Sequence, residues 1–338
     1  MNDQAERGVL GIYETERRLP QIRERVGRFV GARAEEIAFL RNTGDGANVI
    51  ARGLDWKAGD EIVLNDNEFG ANAMPWVALR EYGVELRFVR TPQRRMTPEV
   101  LRGLMSSRTR VVAVSWVSFT DGYRHDLAAL SEVAHAGGAL FCVDGMQALG
   151  AFPLDVKAAG VDALYAGGAK WLLAIPGVSF VYVAAKLVDK LAVRWRGWKD
   201  VADMWDFLDY DQPFAAGAAR FEGGTQNFLG MEALETSMDV LDEAGVERIS
   251  RYVLDLTDYL VEGLRRIGAE IGSERADGTS SGIVTFRIPG TDPIELGRRL
   301  GRANIVTTYR KNGIRISPHG HNSTADIDAL VEALGVPV

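Results

Sequence analysis

The chain has 338 residues, of which 46% are hydrophobic and 25% are charged, so it can fill a large core and form two domains. Its net charge of −7 argues against a nucleic-acid or anionic-membrane surface, and no run approaches the roughly 20 apolar residues of a membrane span. A single cysteine excludes an internal disulfide and four scattered histidines show no metal-ligand spacing, so we expect a cytoplasmic protein with a small-molecule partner and no metal.

Short apolar runs alternate with helix-like stretches through the first half of the chain. The predicted strands cover residues 61–65, 85–91, 110–116, 139–144, 162–167 and 179–184. The predicted helices between them cover residues 45–54, 72–83, 98–105 and 126–138. Strands that alternate with helices indicate βαβ units, and continuous apolar runs suit a sheet that is covered on both faces. The sequence therefore predicts an α/β fold with a mainly parallel sheet and helices on both faces.

The pattern changes after residue 185. Residues 185–229 show no clear period, which is typical of a long functional loop. The remaining elements are predicted helices at 230–246, 248–267, 293–305 and 324–334 and predicted strands at 281–290 and 313–317. We therefore expect an N-terminal segment (1–20), a large α/β domain (21–229) and a small C-terminal α+β domain (230–338).

One lysine stands in the apolar stretch LYAGGAKWLLAIPGVSFVYV, which covers residues 164–183. Removing an ammonium group from water is costly, so a buried lysine has a lowered pKa. The neutral amine that results is a nucleophile toward carbonyl compounds. Lys170 is therefore a candidate catalytic residue, although a lysine that follows a strand and points to solvent also fits this window.

A second candidate site lies in NTGDGANVIARGL, residues 42–54. Thr43 and Gly44 stand at the beginning of a predicted helix, where free backbone N–H groups can bind a phosphate. The same residue types also serve as ordinary helix caps, so this segment alone leaves both interpretations open.

A third candidate is Asp144, the last residue of a predicted strand. Ligands of open α/β sheets bind at the carboxyl ends of strands, so this carboxylate can reach a ligand. A carboxylate in this place keeps a pyridine nitrogen protonated, and Gln147 could bond the hydroxyl group of the same ring. Asp144 could instead only cap the following turn.

Three further residues lie in or near the ends of predicted strands. When each is considered alone, its sequence context is more typical of a residue in the hydrophobic core than of a functional residue. Cys142 lies within an apolar strand and behaves there as a small hydrophobic residue. Phe69 and Trp76 follow another strand, where an aromatic ring can stack on a planar cofactor but more often packs in the core.

Six segments together resemble the class-V aminotransferase family. They follow the family's order over residues 20–335 and read NTGDGANVIARGL, NEFGANAMPW, VDGMQALGAFPLDV, GVDALYAGGAKWLLAIPGVSFVYV, RFEGGTQN and IRISPHGHNSTADIDAL. This family contains pyridoxal-phosphate enzymes of the aspartate-aminotransferase-like fold, including cysteine desulfurases, kynureninases and isopenicillin-N-epimerase-like proteins. The resemblance implies pyridoxal 5'-phosphate as the cofactor, a seven-stranded type of sheet, and a homodimer with shared active sites.

The resemblance also implies roles around the ring of the cofactor. Lys170 would form the Schiff base with the cofactor and later move the α-proton of the substrate. Asp144 would pair with the ring nitrogen, and Gln147 would contact the ring oxygen. Phe69 stands in the place of a histidine that stacks on the ring.

Three more residues match family positions that bind charged groups. Thr43 and Gly44 occupy the phosphate-binding turn, and Thr225 matches a residue that reaches the phosphate of the neighbouring subunit. Arg315 matches the arginine that binds the carboxylate of the substrate, a task that suits a planar guanidinium group.

The chain departs from the family at several positions. Gly167 and Ala169 replace a hydroxyl residue and a histidine before the lysine, and Phe119 replaces an asparagine. These changes make the expected pocket less polar. Family members usually carry additional residues at the N-terminus, so we expect a more open substrate entrance here.

The stretch NIVTTYRKNGIRIS lacks the nucleophilic cysteine of cysteine desulfurases. We therefore do not expect desulfurase activity of the usual kind. Arg310 in the same stretch could be a second anion contact, or it could be a solvated surface residue.

The leading hypothesis is an aminotransferase that acts at the α-carbon of an amino acid. Lyase or epimerase chemistry of the same family shares the first steps and stays open. A non-catalytic binding protein with a degraded cofactor pocket is a further alternative. A nucleotide-binding protein ranks last because no glycine-rich dinucleotide turn or P-loop occurs.

Overall fold

A computed structural model describes residues 8–335 of the chain. Residues 1–7 of the predicted N-terminal segment and residues 336–338 of the predicted small domain lie outside the described residues. The described chain forms two compact units. The first contains the described residues up to Trp116 together with Leu127–Glu243, and the second contains Val117–Asp126 and the described residues from Ala244 onward. The predicted domain limits stay a prediction.

The first unit is built on one sheet of seven strands. These are β1 (Ile37–Leu40), β2 (Glu61–Asn65), β3 (Glu85–Val89), β4 (Thr109–Ser115), β5 (Leu140–Asp144), β6 (Ala163–Gly167) and β7 (Ser179–Val183). Their order across the sheet is β1-β7-β6-β5-β4-β2-β3. The five strands from β6 to β3 run parallel, whereas β7 is antiparallel to both β6 and β1. The predicted α/β fold with a mainly parallel sheet is confirmed.

The helices of the first unit connect and cover these strands. They are α1 (Val9–Phe29), α2 (Thr43–Gly53), α3 (Gly70–Val77), α4 (Pro98–Leu104), α5 (Leu127–Ala136), α6 (Ala185–Val188) and α7 (Phe228–Ala244). In α2, buried residues recur at three- and four-residue spacing, namely Thr43, Gly46, Ala47, Ile50 and Ala51. This spacing places them on one face of the helix, which packs against β6 and β7.

The core of the first unit surrounds the central strands. Every residue of β2, β6 and β7 is buried, which is typical of a sheet that is covered on both faces. Trp76 and Cys142 are fully buried in this core, so their interpretation as core residues is confirmed. Phe69 is 54% exposed, so the same interpretation is wrong for its ring.

Two parts of the first unit differ from the sequence prediction. Strand β1 was not predicted, because four residues carry too little pattern and the strand forms by pairing with β7 far along the chain. The predicted loop 185–229 contains α6 and a short 3₁₀ helix at Gly217–Phe221.

The second unit has four strands, β8 (Glu270–Ile271), β9 (Val284–Arg287), β10 (Thr308–Arg310) and β11 (Gly313–Ile316). They form an antiparallel sheet in the order β10-β11-β9-β8. The helices of this unit are α8 (Val246–Arg266), α9 (Pro293–Arg302) and α10 (Thr324–Gly335). Apolar residues of these elements form a separate core. Within residues 8–335, no helix is both long enough and apolar enough to cross a membrane.

Candidate active site

Asp144 is the most informative residue at the carboxyl edge of the large sheet. It ends β5 between β4 and β6, where its register neighbours are Ser115 and Tyr165. The residue is only 4% exposed, and Oδ1 accepts a hydrogen bond of 2.8 Å from the backbone N–H of Met146. Burial raises the pKa of Asp144 to about 7, because water no longer stabilises the ionised form. The carboxylate is therefore costly to maintain unless a positive group pairs with it.

Two charged neighbours act on the pKa of Asp144 in opposite directions. The negative charge of Glu68 raises it, and the positive charge of Lys170 lowers it. The predicted catalytic lysine and the predicted ring-nitrogen partner are therefore close enough to interact electrostatically. The sequence suggested Lys170 and Asp144 separately. The fold brings them together at the carboxyl edge of the sheet, where Asp144 ends β5 and Lys170 lies in the turn after the adjacent strand β6.

Lys170 follows β6 in a turn that starts at Gly168. A Cβ atom at Gly168 would lie 2.9 Å from Ala174 and from Val178, so close packing of the turn requires glycine here. The Lys170 Nζ atom lies 6.0 Å from the centroid of the Phe69 ring. Phe69 therefore lies beside the lysine, and its stacking on the cofactor stays a prediction.

The prediction that Lys170 lies in an apolar, buried environment is only partly correct. Trp171 and Leu172 are buried, but Lys170 and Ala169 are exposed. The physical reason is that the lysine has left the strand and stands in the turn beyond it, outside the covered part of the sheet.

Thr43 and Gly44 begin α2 in the first unit. The Asn42 side chain caps this helix by accepting a hydrogen bond from the N–H of Asp45. The Thr43 hydroxyl lies 3.6 Å from the sulfur of Met146, two residues after Asp144. The first N–H groups of a helix have no partner within the helix, so this end of α2 can bind an anion near Asp144.

Gln147 and Thr225, the two other predicted cofactor-binding residues, lie in different surroundings from each other. Gln147 is half-buried in the turn that follows β5. Thr225 is exposed and lines a cavity of about 520 Å³ together with Asp45, Asn48 and Arg52 of α2. The structure therefore places Thr225 in a cavity along α2, whereas Gln147 stays close to Asp144 in the chain.

The loop that carries Thr225 is fixed by a buried polar network that the sequence did not reveal. The Lys199 ammonium group donates to both carboxylate oxygens of Glu16, at 2.8 and 2.6 Å, and also to the side-chain oxygen of Gln226. The Gln226 amide donates to Glu222 at 2.6 Å, and Glu222 pairs with Arg23. Both Lys199 and Glu16 have side chains that are 5% exposed. This network links α1 to both sides of Thr225.

Arg315 belongs to the second unit, in strand β11. Its guanidinium group donates to the backbone oxygen of Phe119 at 2.6 Å and to the Thr308 hydroxyl at 3.4 Å. Burial lowers the pKa of Arg315, and the nearby Arg310 lowers it further. Among residues 8–335, the buried Nε atom of Arg315 has no hydrogen-bond partner.

Cys142 is the only cysteine of the chain. It is fully buried in β5, and burial raises the pKa of its thiol well above the ordinary value. Because the thiolate is the reactive form, this residue is chemically inert in the folded protein.

Comparison with known proteins agrees with the fold and with the family resemblance. A family model described as aminotransferase class-V matches residues 4–330. A probable cysteine desulfurase of Methanothermobacter thermautotrophicus is 29% identical, with 96% of this chain and 84% of that protein covered. An uncharacterized aminotransferase of Bacillus subtilis, YcbU, is 28% identical, with 92% of this chain and 82% of that protein covered.

Solved structures show the same fold. The apo cysteine desulfurase of Thermococcus onnurineus superimposes on this chain with a TM-score of 0.88 and 25% sequence identity. The alignment covers 96% of this chain and 84% of the desulfurase chain. A C-DES mutant with glycine covalently linked to its PLP cofactor superimposes with a TM-score of 0.90 and 21% sequence identity. The alignment covers 99% of this chain and 90% of the C-DES chain. The chain belongs to the class-V aminotransferase family and is a pyridoxal-phosphate-dependent enzyme.

Proposed function

We propose that this enzyme acts at the α-carbon of an amino acid as an aminotransferase. The observation that carries the proposal is the buried Asp144 at the end of β5, with the Lys170 charge close enough to lower its pKa. A buried carboxylate at the end of one strand and a lysine in the turn after the neighbouring strand are the two groups that pyridoxal-phosphate chemistry requires.

The residues of the first unit fit the cofactor. Asp144 is buried and has a raised pKa, which is the situation of a carboxylate that lacks a positive partner, and a protonated ring nitrogen would supply one. The beginning of α2 at Thr43 and Gly44 would hold the phosphate through backbone N–H groups. Phe69 would pack against the ring, since it lies 6.0 Å from the Lys170 amine that must reach the aldehyde.

When bound, pyridoxal phosphate would supply an electron-accepting ring for the chemistry at the α-carbon of the substrate. Asp144 keeps the proton on the ring nitrogen, which makes the ring a better electron acceptor. Lys170 removes the proton from the α-carbon and returns it, acting as a general base and acid. Gln147 would bond the ring oxygen, and Arg315 would bind the carboxylate of the substrate through two N–H groups.

Carbon–sulfur bond cleavage is a second candidate function. The relatives named cysteine desulfurase match nearly the whole chain. Here the single thiol, Cys142, is fully buried, so the chain has no accessible thiol to receive sulfur. The reaction that remains for a sulfur-containing amino acid is a lyase reaction, in which the sulfur leaves without passing to a cysteine of the enzyme.

The first experiment compares three proteins: the wild type, Lys170→Ala and the control Lys190→Ala, which changes another exposed lysine. Each is mixed with pyridoxal phosphate, dialysed and examined by absorption spectroscopy. We expect a retained visible band in the wild type and the control, and its loss in Lys170→Ala. The same spectrum in all three proteins would contradict the assignment of Lys170.

A panel of amino acids then separates the two candidate reactions. An aminotransferase requires an α-keto acid acceptor and forms a new amino acid, which chromatography detects. A lyase converts a sulfur-containing amino acid and water into sulfide or a thiol, ammonia and an α-keto acid, and it needs no acceptor. The absence of any amino-group transfer with the loaded wild type would reject the aminotransferase proposal.

We also propose that the enzyme is a cytoplasmic homodimer. The family resemblance supports a dimer in which Thr225 serves the neighbouring site, and Thr225 is exposed beside a cavity, where a second subunit could contact it. Light scattering after gel filtration measures the mass directly, and a monomeric mass of 37.0 kDa would reject the dimer. Cell fractionation tests the compartment.

A further inference from the structure

Two arginines lie on the same face of the small sheet in the second unit. Thr308 of β10 is the register partner of Arg315 on β11. Because side chains alternate between the two faces along a strand, Arg310, two residues after Thr308, shares the face of Thr308 and Arg315. The opposite face carries Ile314 and Ile316, which are buried in the core of this unit. The two arginines therefore project from the polar face of the sheet.

Phe119 contacts both of these arginines and belongs to the same unit. Its backbone oxygen accepts a hydrogen bond of 2.6 Å from the guanidinium group of Arg315. The guanidinium carbon of Arg310 lies over the Phe119 ring, 5.4 Å from the ring centroid, in a cation–π contact. One residue thus holds the two guanidinium groups on either side of its ring and its backbone oxygen.

The two positive charges repel each other. Arg310 pairs with Gly313, so Arg315, two residues further along β11, is its diagonal neighbour, within reach of a long side chain. The charge of Arg310 adds to burial in lowering the pKa of Arg315. Among residues 8–335, the buried Nε atom of Arg315 has no hydrogen-bond partner. Two adjacent cations with unused donor capacity are stabilised when an anion binds to both.

We propose that Arg310 and Arg315 bind the two acidic groups of one small molecule, and that the substrate is an amino acid with a second acidic group in its side chain. Arg315 would bind the α-carboxylate and Arg310 would bind the second group. The diagonal positions of the two arginines are roughly 7–8 Å apart, so a short molecule can contact both. The inference rests on the part of the proposed function in which Arg315 binds the carboxylate of the substrate.

The first test measures binding by titration calorimetry with the cofactor-loaded protein at constant ionic strength. Glutarate carries two carboxylates, and its half-amide glutaramate has nearly the same size and shape but only one. The proteins are the wild type, Arg310→Met and the control Arg302→Met, which removes another exposed arginine of the same unit. Arg310 is exposed, so its replacement opens no core, and circular dichroism establishes that each variant is folded.

We expect the wild type and Arg302→Met to bind glutarate at least about tenfold more tightly than glutaramate, which is the contribution of one charge-assisted hydrogen-bonded pair. In Arg310→Met this preference should fall to about twofold or less, while glutaramate binding stays within about twofold of the wild type. Equal binding of the two ligands by the wild type overturns the proposal. A preference that persists in Arg310→Met, or that is lost equally in Arg302→Met, also overturns it.

A second titration identifies the chemistry of the second acidic group. Phosphonopropionate replaces one carboxylate of a dicarboxylate by a phosphonate. Tighter binding of glutarate than of phosphonopropionate assigns a carboxylate to Arg310, and the reverse order assigns a phosphate. In either case the preference should depend on Arg310, and a preference that is the same in Arg310→Met contradicts the assignment.

The link to the substrate is tested with amino donors. Glutamate and aspartate should have values of kcat/KM about tenfold or more above those of glutamine and asparagine, and Arg310→Met should remove this difference. If the enzyme transfers no amino groups but binds glutarate through Arg310, the proposed reaction fails and the anion site stands. If it transfers amino groups without preferring the acidic donors, the inference about the substrate fails and the proposed reaction stands.

Discussion

Replacing Asp144 by asparagine should stabilise the cofactor-free protein. It should also reduce the additional stability that the protein gains when it binds the cofactor. The folded state raises the pKa of this carboxyl group from 3.8 to about 7, because the group is buried at the end of β5. Between these two pH values the folded protein binds one more proton than the unfolded chain, so stability falls as the pH rises. Above pH 7 the full loss of stability caused by the ionised Asp144 is present, and below pH 3.8 none of this loss remains.

The size of the effect follows from the pKa difference. Each unit corresponds to about 1.4 kcal/mol, so the ionised Asp144 lowers the free energy of unfolding by about 4 kcal/mol at pH 8. The asparagine amide introduces a buried N–H donor that costs about 1–2 kcal/mol if it finds no acceptor. We therefore expect Asp144→Asn to raise the free energy of unfolding of the apoprotein by about 2–4 kcal/mol at pH 8, with the gain shrinking toward pH 4.

The assay is urea unfolding of the apoprotein followed by circular dichroism at several pH values. Asp277→Asn, which changes an exposed aspartate, is the matched control and should change the free energy of unfolding by less than about 0.5 kcal/mol. Addition of pyridoxal phosphate should raise the melting temperature of the wild type more than that of Asp144→Asn. The reasoning is refuted if Asp144→Asn is no more stable than the wild type at pH 8, or if its advantage is independent of pH.

Three further predictions follow from packing in the first unit and in helix α9. Cys142 is fully buried, so a thiol reagent should label the native protein no faster than it unfolds, and rapid stoichiometric labelling would contradict the burial. Lys199→Met leaves Glu16 buried without its partner and should lower the free energy of unfolding by about 3 kcal/mol, whereas the double variant with Glu16→Leu should recover most of it in urea titrations. Gly46→Ala would place a Cβ atom 2.5 Å from the Cβ atom of a buried tyrosine and should cost about 1–3 kcal/mol. The control Gly301→Ala, whose added Cβ atom would meet nothing within 4 Å, should be neutral or stabilising, and thermal melts of both glycine variants measure the difference.

The amino-acid sequence alone was sufficient to predict the features that depend on the local pattern of apolar and polar residues. Short apolar runs predicted six of the strands of the large sheet, because a strand that is buried on both faces must be apolar along its whole length. The position of Asp144 at a strand end could also be read directly, since the apolar run stops there. The family resemblance added the cofactor, because ordered motifs over nearly the whole chain are more specific than any single one.

Features that depend on distant residues required the tertiary structure. Strand β1 forms only because β7 pairs with it. Lys199 forms its hydrogen bonds with Glu16, which lies 183 positions away in the sequence. Glu68 looks like an ordinary loop residue until the fold brings Ser115, 47 positions away, to both of its oxygens. Local periodicity determines which residues enter the core, whereas the packing of elements distant in sequence determines which polar groups meet and how strongly burial changes their charge.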